Sequence, residues 1–171
     1  RLGWHLVASH PNCLQKSYRI LVATQPDRLA AETGDLWDSG RVESNASTQV
    51  EYQGKPLPSG ARAYWTVKAW DQAGVESDWA PAAWFEMGLL NPEDWTSRWI
   101  AIAPEDQSSA HAAPYFRKAF SARSEIRSAR AYVCGVGYHE LYLNGQRVGD
   151  HVLDPGFTRY DKRLLYVTHD V

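Results

Sequence analysis

Cys134 and His139 pair a thiol with an imidazole, the residue types from which a thiolate nucleophile and its general base are built. Side chains alternate between the faces of an extended strand, so an odd separation in sequence turns these two away from one another. Both therefore read as structural residues. Gly135-Val136-Gly137 opens like a dinucleotide-binding fingerprint, but Glu140 stands where the third glycine belongs and no helical pattern follows. The six histidines show no HExxH or comparable spacing, which leaves a catalytic zinc without a ligand set.

Paired carboxylates are the requirement for glycoside hydrolysis, about 5 Å apart for retention and about 6.5 to 9.5 Å apart for inversion. Three pairs stand close in sequence: Asp35 with Asp38, Glu76 with Asp78, and Asp150 with Asp154. All three occupy turn-like contexts, where Asp ordinarily accepts from nearby backbone donors, and turn formation is the economical reading. Asn144, Asp150 and Asp154 form an oxygen-rich set of the kind a calcium ion takes, without the dense acidic alternation of a dedicated calcium loop. The chain also holds 8 Trp and 9 Tyr, whose flat faces suit pleated surfaces and the apolar faces of sugar rings alike. Trp65 falls on an inward face. Trp79, Trp84, Trp95 and Trp99 stand near an expected domain boundary, where packing explains them at least as well as ligand stacking.

The elements that must position these groups are strands. Tyr18, Ile20 and Val22 alternate within SYRILVA, and Ala63, Trp65, Val67 and Ala69 alternate within RAYWTVKAWD, which is the period of a half-buried strand. Shorter strands are predicted over Trp4 to Val7, Gln49 to Gln53 and Ala83 to Met87. Turns fall at Asp38-Ser39-Gly40, Gly54-Lys55-Pro56 and Pro58-Ser59-Gly60, and Arg28 to Thr33 is predicted to make one helical turn before Gly34. After Met87-Gly88 the texture changes, and the boundary is predicted near Pro92. Pro104 to Pro114 reads as a surface loop, with strands resuming at Tyr115 to Phe120. Ala129 to Leu143 reads as a long strand interrupted at Gly135 and Gly137. Asn144-Gly145 predicts a type I′ hairpin joining Glu140 to Leu143 with Gln146 to Gly149, and Arg163 to Val167 closes the chain as a further strand. The 78 residues from 94 to 171 are few for a β sandwich, so the second module is expected to be cut short or completed from outside.

A length of 171 residues suits two modules, and 44% hydrophobic with 22% charged residues belongs to a globular protein, which the strand patterns make all-β. A net charge of -2, with eight basic against eleven acidic residues up to Glu93 and ten against nine beyond it, supplies no basic surface for nucleic acid. No apolar run approaches the ~18 residues of a membrane span, and no signal-peptide pattern is present. Cys13 and Cys134 lack both the spacing of a zinc site and the number of a disulfide framework.

Taken in order, QKSYRILVA, LWDSGRV, VEYQGKPL, RAYWTVKAWDQAG, FEMGLL followed by DWTSRWI, and ARAYVCGVGYHELYLNGQRVGDHVLDPGFTRYDKRLLYVTHDV carry a resemblance that covers nearly the whole chain. The chain resembles the N-terminal region of bacterial alpha-L-rhamnosidases, glycoside hydrolases of the inverting class. The resemblance implies a fibronectin type III-like β-sandwich over residues 1–91 and the first part of a jelly-roll, galactose-binding-like module over residues 92–171. In some relatives that module binds L-rhamnose with the help of calcium. The family's catalytic carboxylates lie in a later (α/α)6 barrel to which nothing here corresponds, so the resemblance assigns no catalytic residue to this chain. Asn144, Asp150, Asp154 and Tyr160 are the implied sugar-binding candidates, with Asp150 and Asp154 for a metal; no cofactor is required, and calcium is the one metal admitted. The implied partners are a rhamnose-containing glycan or glycoside and the remainder of the same polypeptide, with neither nucleic acid nor membrane. A free-standing carbohydrate-binding module and an adhesion or spacer module are the alternatives, and the compartment, cytoplasmic or secreted, stays open.

Overall fold

The computed structural model describes residues 1–8, 11–102, 113–122 and 125–171. They divide into two compact units, Arg1–Ser97 and Arg98–Val171. Regular structure is almost wholly antiparallel β, as the alternating patterns predict.

The first unit is organised by β1 (Gln15–Ala23), which pairs along most of its length with β4 (Arg62–Asp71). The register sets Tyr18 opposite Ala69, Ile20 opposite Val67 and Val22 opposite Trp65, so the two faces that alternate in sequence become cross-strand neighbours. The short strands β2 (Trp37–Asp38) and β3 (Val42–Glu43) share the other edge of β1, and β5 (Ala83–Glu86) flanks β4. Leu2, Tyr18, Ile20, Val22, Ala63 and Val67 form the main core, closed by Trp4, Val50, Tyr52 and Phe85. Fully burying each aliphatic side chain contributes about 1.5–3 kcal/mol. The layer over this face is a ribbon in which Leu2 and Val50 exchange backbone hydrogen bonds and the Trp4 amide donates to Ser47.

On the opposite face of β1, Leu21 and Ala23 pack beneath a single helical turn, α1 (Pro26–Ala30), through its buried Leu29. Pro26 suits the first turn because its missing N–H would have had no helical partner there. Trp79 and Tyr64 extend this smaller cluster, and Trp79 lies between the Arg19 guanidinium at 5.9 Å and the Lys68 ammonium at 4.9 Å. Trp79 is therefore a packing residue of the first unit's own sheet. Trp65 packs against the main core, and Trp84 lies under the Arg62 guanidinium at 4.4 Å.

In the second unit, β6 (Arg130–Cys134) pairs with β9 (Tyr166–Asp170) in unbroken antiparallel register. The hairpin β7 (Tyr142–Leu143) and β8 (Gln146–Arg147) turns at Asn144 (φ 51°) and Gly145 (φ 81°), the paired positive angles of a type I′ turn.

Several expected strands fail to form. Trp4 to Val7 forms no strand, Gln49 to Gln53 contributes only Val50 to an isolated bridge with Leu2, and Val7 stands 97% exposed. Tyr115 to Phe120 is irregular, with Tyr115 wholly exposed: alternation makes a strand only where a second strand accepts its hydrogen bonds, and none does among the described residues. The segment from Ala129 stops being a strand at Cys134, because Gly137 takes a φ of 118° and turns the backbone back on Gly135. The last strand begins three residues later than expected, since Lys162 and Arg163 both donate to the Arg159 carbonyl and close a turn first. The predicted loop from Pro104 to Pro114 lies mostly outside the described residues.

Candidate functional site

The second unit carries the sequence-predicted site residues on its hairpin and on the loop after it. Asn144 is exposed at the hairpin tip, placed by its positive φ. Asp150 projects fully into solvent, 4.0 Å from His151 Nε2. The Asp154 carboxylate is held 2.9 Å from His151 Nδ1, and its backbone carbonyl accepts from the His139 amide. Tyr160 packs against Phe157, ring centroids 5.4 Å apart. His151 thus gathers Asp150 and Asp154, while Asn144 and Tyr160 lie on other segments of the unit.

An open cleft of about 490 Å³ lies along the hairpin. Its polar lining comes from Asn144, Gln146, Arg147 and Asp170, with Leu143 and Val148 supplying apolar surface. Asn144 is the one candidate from sequence that lines it. The charges of the cleft are already paired: Arg147 meets Glu140 at 3.4 Å and donates to the His151 carbonyl, and Asp170 pairs with Arg130. One lining carboxylate, engaged by a guanidinium, does not make the acid and base that hydrolysis of a glycoside needs.

Of the other acidic pairs, Asp35 and Asp38 are committed to the fold. Asp35 accepts from the Thr24 amide and hydroxyl at 2.9 and 2.8 Å. Asp38 receives both arms of Arg19, at 2.9 and 2.7 Å, and the Gly40 amide. The Arg19 hydrogen bonds hold the Asp38 carboxyl below its ordinary range, outweighing its partial burial. Glu76 lies 3.8 Å from Lys68. Asp35 and Asp38 are turn and sheet anchors.

Cys134 and His139 likewise serve structure. The Cys134 thiol donates to the Leu165 carbonyl at 3.2 Å, and burial pushes it up, keeping it a thiol. His139 instead meets His169 edge-to-face, ring centroids 5.9 Å apart. Both ring nitrogens of His139 and Nε2 of His169 are buried with no hydrogen-bond partner among the described residues. Burial first, and His169 second, lower the His139 pKa, while Asp154 opposes them. The sequence reading missed this pair; the signal available was that Val167 and His169 alternate onto one face of the last strand.

Among the described residues, no group of three or more His, Cys, Asp or Glu could hold a metal ion, and no helix is long and apolar enough to cross a membrane.

Residues 1–91 fit the family of Rha78A-like N-terminal immunoglobulin domains, and residues 124–171 fit the alpha-L-rhamnosidase N-terminal domain. An alpha-L-rhamnosidase of Formosa agariphila is 38% identical over 99% of this chain, which spans 20% of that protein. The solved structure of alpha-L-rhamnosidase from Dictyoglumus thermophilum superposes with a TM-score of 0.86 at 35% identity, covering 98% of this chain and 20% of that one. A Streptomyces avermitilis alpha-L-rhamnosidase, solved in complex with L-rhamnose, shares the fold at a TM-score of 0.56 and 24% identity, over 98% of this chain and 18% of that one. The chain thus spans about a fifth of the length of the relatives it matches. The chain belongs to the family of Rha78A-like N-terminal immunoglobulin domains and corresponds to the N-terminal region of the alpha-L-rhamnosidases it matches.

Proposed function

We propose that this chain is the non-catalytic N-terminal part of an alpha-L-rhamnosidase that releases terminal L-rhamnose, and that it supports the catalytic part of the polypeptide and helps present rhamnosylated substrate. The observation that carries the reading is the fate of the carboxylates. Asp35, Asp38, Glu86, Asp94, Asp154 and Asp170 are each engaged by a hydrogen-bond donor or a cation, and Asp170, which lines the open cleft, faces no second carboxylate among the lining residues. With the relatives about five times as long, the hydrolytic pair belongs to residues beyond this segment.

Asn144, Asp150, Asp154 and Tyr160 are the proposed sugar contacts. Asn144 borders the cleft, Asp150 offers a solvent-exposed carboxylate to sugar hydroxyls, and Tyr160 offers a ring face. Calcium fits this set poorly: the ion takes about six to eight oxygen ligands, whereas Asp150 and Asp154 supply two carboxylates, one of them engaged by His151. The binding half of the proposal therefore rests on hydroxyl recognition alone.

Two measurements test it. Purified chain mixed with an aryl rhamnoside is expected to show no turnover, and turnover free of contaminating enzyme overturns the non-catalytic assignment. Titration with L-rhamnose followed by NMR is expected to shift the Asn144 and Tyr160 resonances at millimolar sugar. Unmoved resonances overturn the sugar contacts and leave support as the sole role.

A further inference from the structure

The chain does not leave the first unit as a free tether. After β5, the segment 87–95 turns back along the Pro58–Gly60 turn: the Gly60 amide donates to the Met87 carbonyl at 3.1 Å and the Met87 amide donates to Ala61 at 2.9 Å. Asn91 then opens a single 3-10 turn, Pro92–Asp94. On Asp94 Oδ2 converge the Ser59 hydroxyl, the Leu90 amide at 3.2 Å, the Asn91 amide at 2.9 Å and the Asn91 side-chain amide at 3.4 Å. Ser59 is doubly used, since its oxygen also accepts from the Leu90 amide at 2.9 Å.

We propose that Asp94 is a latch: one carboxylate oxygen, bridged through Ser59, fastens the segment that follows β5 onto the turn that precedes β4, making residues 88–95 a fixed part of the first unit. Three features support it. The compact first unit runs to Ser97, past residue 91 where the immunoglobulin-domain match ends. The donors come from two stretches of chain more than thirty residues apart, so the contact is tertiary, beyond a local cap. The Ser59 hydroxyl first, then the Asn91 amide, hold the Asp94 carboxyl below its ordinary range, as expected where hydrogen bonds favour the charged form. A latch of this kind relieves the 3-10 turn of any need for intrinsic stability, which three residues could not supply.

Amide hydrogen exchange on the intact chain tests the proposal, because Leu90 and Asn91 are themselves donors to the latch. In Asp94→Ala, their exchange is expected to accelerate about tenfold or more, while Ile20 in β1 and Val67 in β4 keep their protection. Asp94→Asn keeps an acceptor oxygen in place and is expected to recover much of the loss. In the natural chain, protection at Leu90 should fall once pH drops far enough to protonate Asp94, and this dependence should vanish in Asp94→Asn. Unchanged exchange at Leu90 and Asn91 in Asp94→Ala overturns the proposal. So does a loss of protection spread equally over β1 and β4, which marks Asp94 as a contributor to general stability. Ser59→Ala removes the bridge without touching the carboxylate and supplies the same two outcomes should Asp94→Ala not fold.

Discussion

Ile20, Leu21, Val22, Ala23 and Ala63 of the first unit are wholly withdrawn from solvent, whereas among the described residues of the second unit only Pro155 and His169 are buried, and one of those is a polar ring. Tyr115, Phe116, Phe120 and Phe157 stand on the second unit's surface, each more than half exposed. The first unit joins five strands into one sheet and covers both faces of its central strand; the second holds two separate two-stranded pairs. Two-stranded pairs are marginal in water unless further strands or a packed face reinforce them. Apolar content does not make the difference, since both halves are rich in aromatics. Core formation requires that strands share faces in register, and among the described residues only β1 and β4 do so over seven consecutive positions, Ser17 to Ala23.

The comparison can be broken first at the centre of β1. Ile20→Ala is expected to destabilise the first unit by about 2–5 kcal/mol in denaturant unfolding, because a fully enclosed side chain leaves a cavity. A cost near zero would mean that the interior is looser than its burial indicates. Gly34→Ala comes next, at about 2–3 kcal/mol: an added Cβ would collide with the Trp37 carbonyl oxygen and crowd Leu21, so backbone must shift. In the second unit, Gly145→Ala is expected to cost about 1 kcal/mol, since Gly145 holds a φ of 81° but nothing crowds its missing Cβ. Phe157→Ser should stay within about 0.5 kcal/mol, as the ring is 76% exposed. A larger loss would reveal that the second unit relies on that surface in this chain alone.

Acid should separate the units more gently. Asp38 has a folded pKa below its unfolded one, through the Arg19 hydrogen bonds first, so its contribution is complete above the unfolded carboxylate pKa of about 3.9 and is lost as pH falls below that value. His139 has a folded pKa lowered by burial first, so it too stabilises least in acid, but its contribution is complete above the unfolded histidine pKa of about 6.5 and declines from there downward. Near-UV circular dichroism against pH should therefore show Tyr132 and Tyr166, which pack together on β6 and β9, responding at higher pH than Trp4 and Trp37 of the first unit. His139→Gln should flatten the upper limb, and Asp38→Asn the lower.

Much of the architecture could be read from the chain because its signals are local. Strands β1 and β4 follow from alternation, and the type I′ hairpin follows from Asn144-Gly145, two residues that tolerate positive φ wherever they stand. Tyr115 to Phe120 shows the limit of such reading: aromatic, β-prone residues leave a segment ready to pair, yet a strand exists only when another strand meets it. The candidate site was less legible than the fold. Residue type singles out Asn144, Asp150 and Asp154 and the family resemblance adds Tyr160 as candidates, but neither speaks to convergence, and His151, Gln146, Arg147 and Asp170 enter only through proximity. Trp79 was misplaced to the boundary for the same reason, since its partners Arg19 and Lys68 lie on strands that only folding brings beside it.

The amino-acid order alone determined the all-β class, the in-and-out assignment of the two long strands and the position of the hairpin, because period-two alternation and positive-φ turns act over a few neighbouring residues. Tertiary structure alone decided which carboxylates would be spent as anchors, that the rings of His139 and His169 would meet edge-to-face with three of their nitrogens unpartnered among the described residues, and that Ser59 would reach Asp94. Those outcomes depend on distances between residues far apart in the chain, set by strand register and loop closure.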